Sequence, residues 1–486
     1  MTPFSTVLEF YMKEKDIRTY SIAQFCGIDR SNMYKLINGK RNPASEEIVG
    51  RISEYMRLKP MEKKRLMEAY QITVMGYDAY HRRKSVQDFL TSFPVTVPEL
   101  GVGTLWEEAV IVNERELGSV QGTVMKDRQL KHLISSVLHV EADKSAGRIK
   151  LLMQPEDNNI MDMLLYAGVK RKNLEIEHIF CLSNTNDIVS DKRDYNLYCL
   201  QNILPMFIQS VCTYQPYCYY DNIVSHNSRF NFLSSMILTS EYAIVFSMEG
   251  KYGMLLSGRE TIEHLHFLFE SLKKDASLMA CKLNSIDKQL KSFESINLGN
   301  KGISFQPEAC LMPMIPTEFL GKYLYPELLL QDQIQERAVE YILRTAEVSE
   351  RSEVTYIFTE LGIQRFAESG RISDLPASVY RPLDYNDRLL LLRRLIDRCK
   401  TGKYQMLRAD SPIAAADICL YSSMQEGYLL IPTIRRERIF LELHEPGLLH
   451  ALRDYFETLD RKYFYSMDET ICILKKLLKG GGRKSR

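Results

Sequence analysis

Between Arg30 and Asn38 the chain carries a dense run of hydrogen-bonding side chains whose spacing suits one face of a helix. Winding residues 30–38 as a helix puts Met33, Leu36 and Ile37 on one side and turns Arg30, Ser31, Asn32, Tyr34, Lys35 and Asn38 outward. Side chains of these types can read base edges, arginine by a bidentate fork to guanine O6 and N7 and lysine at the same edge. They can equally form an ordinary solvated face. Lys40-Arg41-Asn42-Pro43 adds a basic turn directly after them.

Other chemistry is less well provided for. The nine histidines make no His-Glu-x-x-His, and the nucleophile-elbow, phosphate-loop and dinucleotide glycine motifs are absent. His264 and His266 stand two apart, so on a helix they diverge. His444-Glu-Pro-Gly reads as a turn, with a cleft edge as the alternative. The ten cysteines show no Cys-x-x-Cys and no zinc-finger spacing, which fits free thiols in a reducing compartment. Tyr214, Tyr217, Tyr219 and Tyr220 with Cys212 and Cys218 form either a packed strand, the simpler reading, or the lining of a ligand pocket. No catalytic residue, metal or cofactor is expected on these grounds.

The elements that would present residues 30–38 are marked by local signals. A first helix from Phe4 to about Lys15 has Val7, Leu8 and Tyr11 on its inner face. A second fits Thr19–Cys26, with Arg18 or Thr19 as its cap, and Gly27 supplies the left-handed residue that ends it. Asp29 is a good cap for the third helix, and Gly39 stops it. Ser45 caps a fourth helix with Glu46 and Glu47 in its first turn. Pro60 opens a fifth, which runs to about Tyr70.

The run Ser21-Ile-Ala-Gln-Phe-Cys-Gly-Ile-Asp-Arg-Ser-Asn-Met-Tyr-Lys-Leu-Ile-Asn-Gly-Lys-Arg-Asn-Pro43 resembles the Cro/C1-type (lambda-repressor-like, XRE family) helix-turn-helix. Ala23, Gly27, Gly39, Lys40 and Pro43 match that pattern, and Met33 and Leu36 stand where the recognition helix is pinned to the core. The resemblance implies a helix in the major groove. Arg30, Ser31 and Lys35 would read bases. Thr19, Gln24, Asn32, Tyr34, Asn38, Lys40 and Arg41 would touch phosphates or support the contact, fixing register without reading sequence. It further implies a homodimer on double-stranded DNA and a sequence-specific transcriptional regulator. The alternatives are an enzyme or effector that uses the motif for autoregulation or targeting, and a motif turned into a protein-interaction module.

Charge distribution fits a chain that meets a polyanion at one end. Residues 1–84 hold 16 Lys+Arg against 10 Asp+Glu, while the rest holds 47 against 52. The N-terminal run acquires charge too early for a secretory signal, and no stretch approaches 18 apolar residues. A cytoplasmic protein with no membrane segment is expected.

The 486 residues suggest about three domains. The expected division is residues 1–75 as an all-α helix-turn-helix domain of five helices and 76–124 as linker and connecting helices, including His81–Lys84 and Thr91–Pro98. Residues 125–285 form an α/β module for sensing or dimerisation, 286–380 a connecting helical region and 381–478 a second α/β module; 479–486 is a disordered basic tail. Residues 105–142 read as helical. Strands are expected at Arg148–Met153, Glu175–Leu182, Tyr242–Phe246 and Gly253–Leu256, and a helix at Thr261–Lys274, so the C-terminal region is mixed α/β or α+β. Ile244–Leu256 is echoed by Ile418–Leu430, each followed by Phe-Glu-x-Leu (Phe269–Leu272 and Phe456–Leu459). Asp127-Arg-Gln-Leu130 and Asp387-Arg-Leu-Leu390 form a further pair. The echoes fit either a duplication or a coincidence of pattern. An unknown small-molecule or peptide effector would bind this region.

Overall fold

The computed structural model describes residues 1–92, 122, 124–185, 193–223, 233–295, 301–329, 332–433 and 438–480. It divides into two compact units, Met1–Ser85 with Asn186–Asp194, and Val86–Thr185 with Tyr195–Arg486. The first is helical and the second is built on two mixed sheets, so the chain is multidomain and mixed α/β. Residues 105–121 of the expected helical stretch, most of Thr91–Pro98 and residues 481–486 of the tail lie outside the described residues. No helix among the described residues is long and apolar enough to cross a membrane.

The first unit contains α1 (Pro3–Glu14), α2 (Thr19–Cys26), α3 (Arg30–Ile37), α4 (Glu46–Tyr55) and α5 (Pro60–Met75); its boundary falls inside α6 (Tyr77–Thr91). Thr2 caps α1 by accepting the Ser5 N–H, with Pro3 in the first turn. Ser45 caps α4 by accepting the Ile48 N–H. At α2 the cap position belongs to Arg18, which offers no side-chain acceptor, and Thr19 is the first helical residue rather than the cap. Phe4, Leu8, Ile22, Met33, Leu36, Val49, Ile52 and Leu66 interlock as the core. Burial of each such large side chain stabilises by roughly 1.5–3 kcal/mol.

The second unit runs β1 (Val124–Lys126), α7 (Asp127–Ala142), β2 (Arg148–Leu152), α8 (Asn158–Lys170), β3 (Glu175–Ser183), α9 (Tyr195–Ile208), β4 (Thr213–Asp221), β5 (Ser235–Leu238), β6 (Tyr242–Phe246), β7 (Tyr252–Ser257), α10 (Arg259–Lys274), β8 (Ser277–Leu278) and β9 (Ala280–Leu283). It continues with α11 (Ile286–Ser295), β10 (Gly302–Phe305), α12 (Glu318–Tyr323), α13 (Pro326–Leu329), α14 (Asp332–Arg351), β11 (Val354–Thr359), α15 (Glu360–Ser369), α16 (Tyr385–Cys399), β12 (Tyr404–Leu407), β13 (Cys419–Ser422), β14 (Gly427–Pro432), β15 (Arg438–Leu443), α17 (Pro446–Glu457) and α18 (Met467–Gly480). The segment 286–380, expected to connect, thus supplies β10 and β11 to the middle of a sheet. Short strands buried on both faces show no alternation by which a sequence would betray them.

One sheet has the order β1-β7-β6-β5-β2-β3-β4-β8, the other β12-β11-β10-β13-β14-β15-β9. In both, three parallel strands (β2, β3, β4 and β10, β11, β12) adjoin an antiparallel run (β5, β6, β7 and β13, β14, β15). Helices α8 and α9 cross over in the first sheet, and α14 to α16 in the second. The echo of Ile244–Leu256 in Ile418–Leu430 sets the β6–β7 hairpin against β13–β14, one strand out of step with this correspondence.

Packing follows from which face each strand residue takes. Ile176, Phe180 and Leu182 of β3 join α7, α8, α9 and α17 in the largest core, which reaches Ile303, Phe305 and Ile357 of the second sheet. The opposite face of the second sheet, with Tyr356, Phe358 and Tyr404, is covered by α11, α12, α14, α16 and α18. The opposite face of the first sheet, with Ile179, Met236 and Leu238, is covered by α10 through Ile262 and Phe269.

Candidate functional site

Helix α3 is held at both ends and along one side. Asp29 Oδ1 accepts the N–H of Ser31 at 2.8 Å and of Asn32 at 3.4 Å. Gly27 and Gly39 bracket it with φ of 65° and 68°. At Gly39 a side chain would also collide, since a Cβ would lie 2.8 Å from Ser5 Oγ and 2.9 Å from Thr2 N. Met33 and Leu36 are buried, and Ala23 is buried in α2. Arg30, Ser31, Tyr34, Lys35 and Asn38 are exposed, as are Gln24, Lys40 and Arg41, while Thr19 and Asn32 are half-buried. Arg41 is turned back onto the helix, donating from Nη1 to Asn32 Oδ1 at 2.9 Å. The residues of α3 therefore share one outward face, with Tyr34 56% exposed. Arg30, Lys35 and Lys40 make no ion pair among the described residues.

A second site lies in the other unit and was not singled out by sequence. A cavity of about 520 Å³ opens at the C-terminal ends of β2 and β3 and the start of β5. Its lining is apolar at Leu152, Met153, Ile179, Phe180, Met248 and Leu272 and polar at Gln154, Cys181, Tyr219, Ser234, Ser235 and Asp275. Ligands of open α/β sheets characteristically bind outside strand C-termini, where neighbouring connections diverge, and this volume falls in the range of small-molecule sites.

The walls of the cavity are fixed from behind. Gln154 Oε1 accepts the Cys181 N–H at 3.2 Å, tying the ends of β2 and β3 together. His178 is fully buried with Nε2 2.9 Å from the Met153 carbonyl and Nδ1 2.9 Å from the Tyr214 hydroxyl. A carbonyl only accepts, so Nε2 carries the proton and Nδ1 takes the tyrosine O–H. Burial holds this imidazole down to about 4, so it stays neutral. Burial likewise pushes the Cys181 thiol up to about 12, with Asp221 adding to the effect. Cys181 is then a thiol at neutral pH and no nucleophile.

The tyrosine cluster divides along β4. Tyr214 and Cys218 face the large core, Tyr219 lines the cavity, and Tyr220 donates to Glu445, which caps α17. His264 and His266 part as their spacing implies, to the Glu260 carbonyl at 2.7 Å and the Thr239 carbonyl at 3.2 Å. The described residues hold no cluster of three His, Cys, Asp or Glu able to bind a metal.

The second sheet carries a buried polar cluster at the matching strand end. Gln306 Nε2 donates to Asp374 Oδ1 at 2.8 Å, and Glu308 accepts from the Ser373 hydroxyl at 2.9 Å and from its N–H. Burial, then the Glu308 charge, raises Asp374 to about 7. Burial raises Glu308 too, against the pull of Arg438. Gln154-Pro155-Glu156 after β2 and Gln306-Pro307-Glu308 after β10 repeat a triplet. That recurrence was the signal available in the sequence for both places.

No family model and no curated protein matches the chain. Among solved structures it is similar to the crystal structure of a phosphatidylserine synthase from Haemophilus influenzae Rd KW20, at 10% identity, covering 72% of this chain and 91% of that chain with a TM-score of 0.22. Likeness that loose carries no argument about fold or activity. One expectation is nevertheless corrected. The sequence pointed to a sequence-specific transcriptional regulator, but no family model matches, and most of the chain belongs to a unit built on two sheets with a cavity of its own. The expectation rested on the first 75 residues or so. It gave no weight to a body with two sheets and a cavity of its own.

Proposed function

We propose that this chain is an effector protein whose working part is the two-sheet body, a small-molecule-binding unit, and whose N-terminal helices target it. The observation that carries this reading is the cavity of about 520 Å³ at the ends of β2, β3 and β5. Binding rather than turnover is supported by its lining, where Cys181 is held protonated and the remaining polar groups are hydroxyls, an amide and one carboxylate. The shared strand order supports reading the two sheets as related modules, one keeping an open site and the other closing it with Glu308 and Asp374.

In this reading α1 to α5 form a Cro/C1-type helix-turn-helix that places the body on double-stranded DNA, with Arg30, Ser31 and Lys35 toward the groove. Homodimer assembly and a cytoplasmic location belong to the same proposal. The test is thermal unfolding of the full chain against a library of small uncharged and charged compounds. Stabilisation by a compound in the native chain, lost in Ser234→Trp, is the expected result. Retained stabilisation in that variant overturns the reading. Arg30→Ala with Lys35→Ala should weaken salt-sensitive DNA retention and leave the stabilisation intact. No DNA retention by the native chain would make the helices a protein-interaction module instead.

A further inference from the structure

A separate cavity of about 60 Å³ lies in the core of the second sheet, between α11, α12, α14 and the segment 370–384. Its walls are carbon nearly throughout. Among the described residues the lining consists of aliphatic side chains, Met312, Phe319 and three tyrosines. Two of those tyrosines direct their hydroxyls elsewhere. Tyr380 donates to the Ile372 carbonyl at 3.1 Å and accepts the Ile372 N–H at 2.6 Å. Tyr323 donates to Asp387 and accepts the Asp384 N–H at 3.0 Å.

The volume equals that of about two water molecules in the liquid, yet a buried water needs about two to four polar partners. The lining offers no such set, so the space stays dry. Nor is it free to collapse. The same two hydroxyls clamp the backbone at Ile372 and Asp384, and Arg394 Nη1 holds the Met314 carbonyl at 2.6 Å, between the wall residues Met312 and Ile315. Protein interiors leave few voids larger than a water, and one larger side chain in place of Ala338 would fill this one. The chain instead keeps it behind a rim of half-buried apolar residues, Ile286 and Ala338 on one side and Leu375 and Val379 on the other.

An apolar group that enters such a space gains dispersion contacts on every side. A dry cavity of about 150 Å³ with walls of this kind takes benzene or xenon. On that scale about 60 Å³ admits roughly two or three carbons. A hydroxyl or a charge would be left without a partner there, at a desolvation cost that binding could not recover. We infer that this cavity binds a short hydrocarbon group, either a free molecule or the end of a longer chain entering at the rim. It is distinct from the cavity at the ends of β2, β3 and β5, whose lining is partly polar.

The experiment is methyl NMR of the full chain, labelled at Ile, Leu and Met and equilibrated with propane, with ethanol as a polar match of equal heavy-atom count, and with n-hexane. Propane should saturably shift the methyls of Leu290, Met312, Ile315 and Ile342, while those of Ile176 and Ile244 in the first sheet stay in place. Ethanol should bind at least about tenfold more weakly. Hexane that shifts the same methyls and those of Ile286 and Leu375 identifies a chain end as the occupant, and propane binding alone identifies a free molecule; both support the inference. Ala338→Leu should abolish the propane shifts with the Ile176 and Ile244 methyls unmoved. In the native chain, no saturable propane shift at the lining methyls, or ethanol binding as tightly as propane, overturns the inference whether or not the variant folds. Propane shifts retained by folded Ala338→Leu overturn it as well. Ser234→Trp should leave the propane response unchanged, so failure here and failure of the first cavity are told apart.

Discussion

Replacement of Asp374 by asparagine tests the electrostatics of the closed module directly. Asp374 is buried, is hydrogen-bonded to Gln306, and has its carboxyl raised from 3.8 to about 7 by burial first and Glu308 second. A raised carboxyl keeps its proton in the folded chain while the unfolded chain has released it. Stability from this group is therefore fully present below about pH 4 and lost as pH rises through about 7. Within that window the slope is about 1.4 kcal/mol per pH unit, or on the order of 3 kcal/mol between pH 5 and pH 8. Asparagine keeps the shape and an acceptor but holds no titrating proton. Urea unfolding of both chains at pH 5, 6, 7 and 8 should show the variant gaining on the native protein by roughly that amount. Parallel stability curves across the range would refute the raised carboxyl and the buried pair with it.

Other outcomes follow from single positions. Gly362→Ala places a Cβ 1.9 Å from the Pro307 carbonyl oxygen and 2.8 Å from Glu308 N, so denaturation should show a loss of at least about 1–3 kcal/mol. Ala309 holds a φ of 80°, which a β-carbon disfavours; Ala309→Gly should stabilise by up to about 1 kcal/mol in the same assay. Leu36→Ala opens the core behind α3 and should cost about 2–5 kcal/mol, with the α3 amides losing exchange protection first. Lys40→Ala should lower the salt slope of DNA retention by about 0.9, and an unchanged slope would remove Lys40 from the contact.

How far the fold could be read from sequence depended on the kind of signal. Helices α1 to α5 announced themselves through Asp29, Ser45, Gly27, Gly39 and Pro60, because caps and left-handed glycines act locally. Strands β2, β3, β6 and β7 showed as apolar runs between turns. Strands β10 and β12 are four residues each and buried, and their pairing is decided by partners dozens of residues away. The α3 surface was legible because one helix carries it. The cavity was not, since Gln154, Cys181, Tyr219 and Ser234 meet only once β2, β3, β4 and β5 lie side by side. Of these, Tyr219 belongs to the tyrosine cluster of the sequence, and the alternation of β4 splits that cluster. The echo of Ile244–Leu256 in Ile418–Leu430 falls one strand out of step with the strand order the two sheets share, because hairpins resemble one another more than the strands they flank.

The account depends most on the cavity being a true binding site. Hydrogen exchange on the full chain, with and without the compound that raises its melting temperature most, measures this at the residues concerned. Protection concentrated at Leu152–Gln154, Ile179–Cys181 and Ser234–Ser235 is the predicted result. Protection confined to other segments, with these amides exchanging as in the free protein, would contradict it.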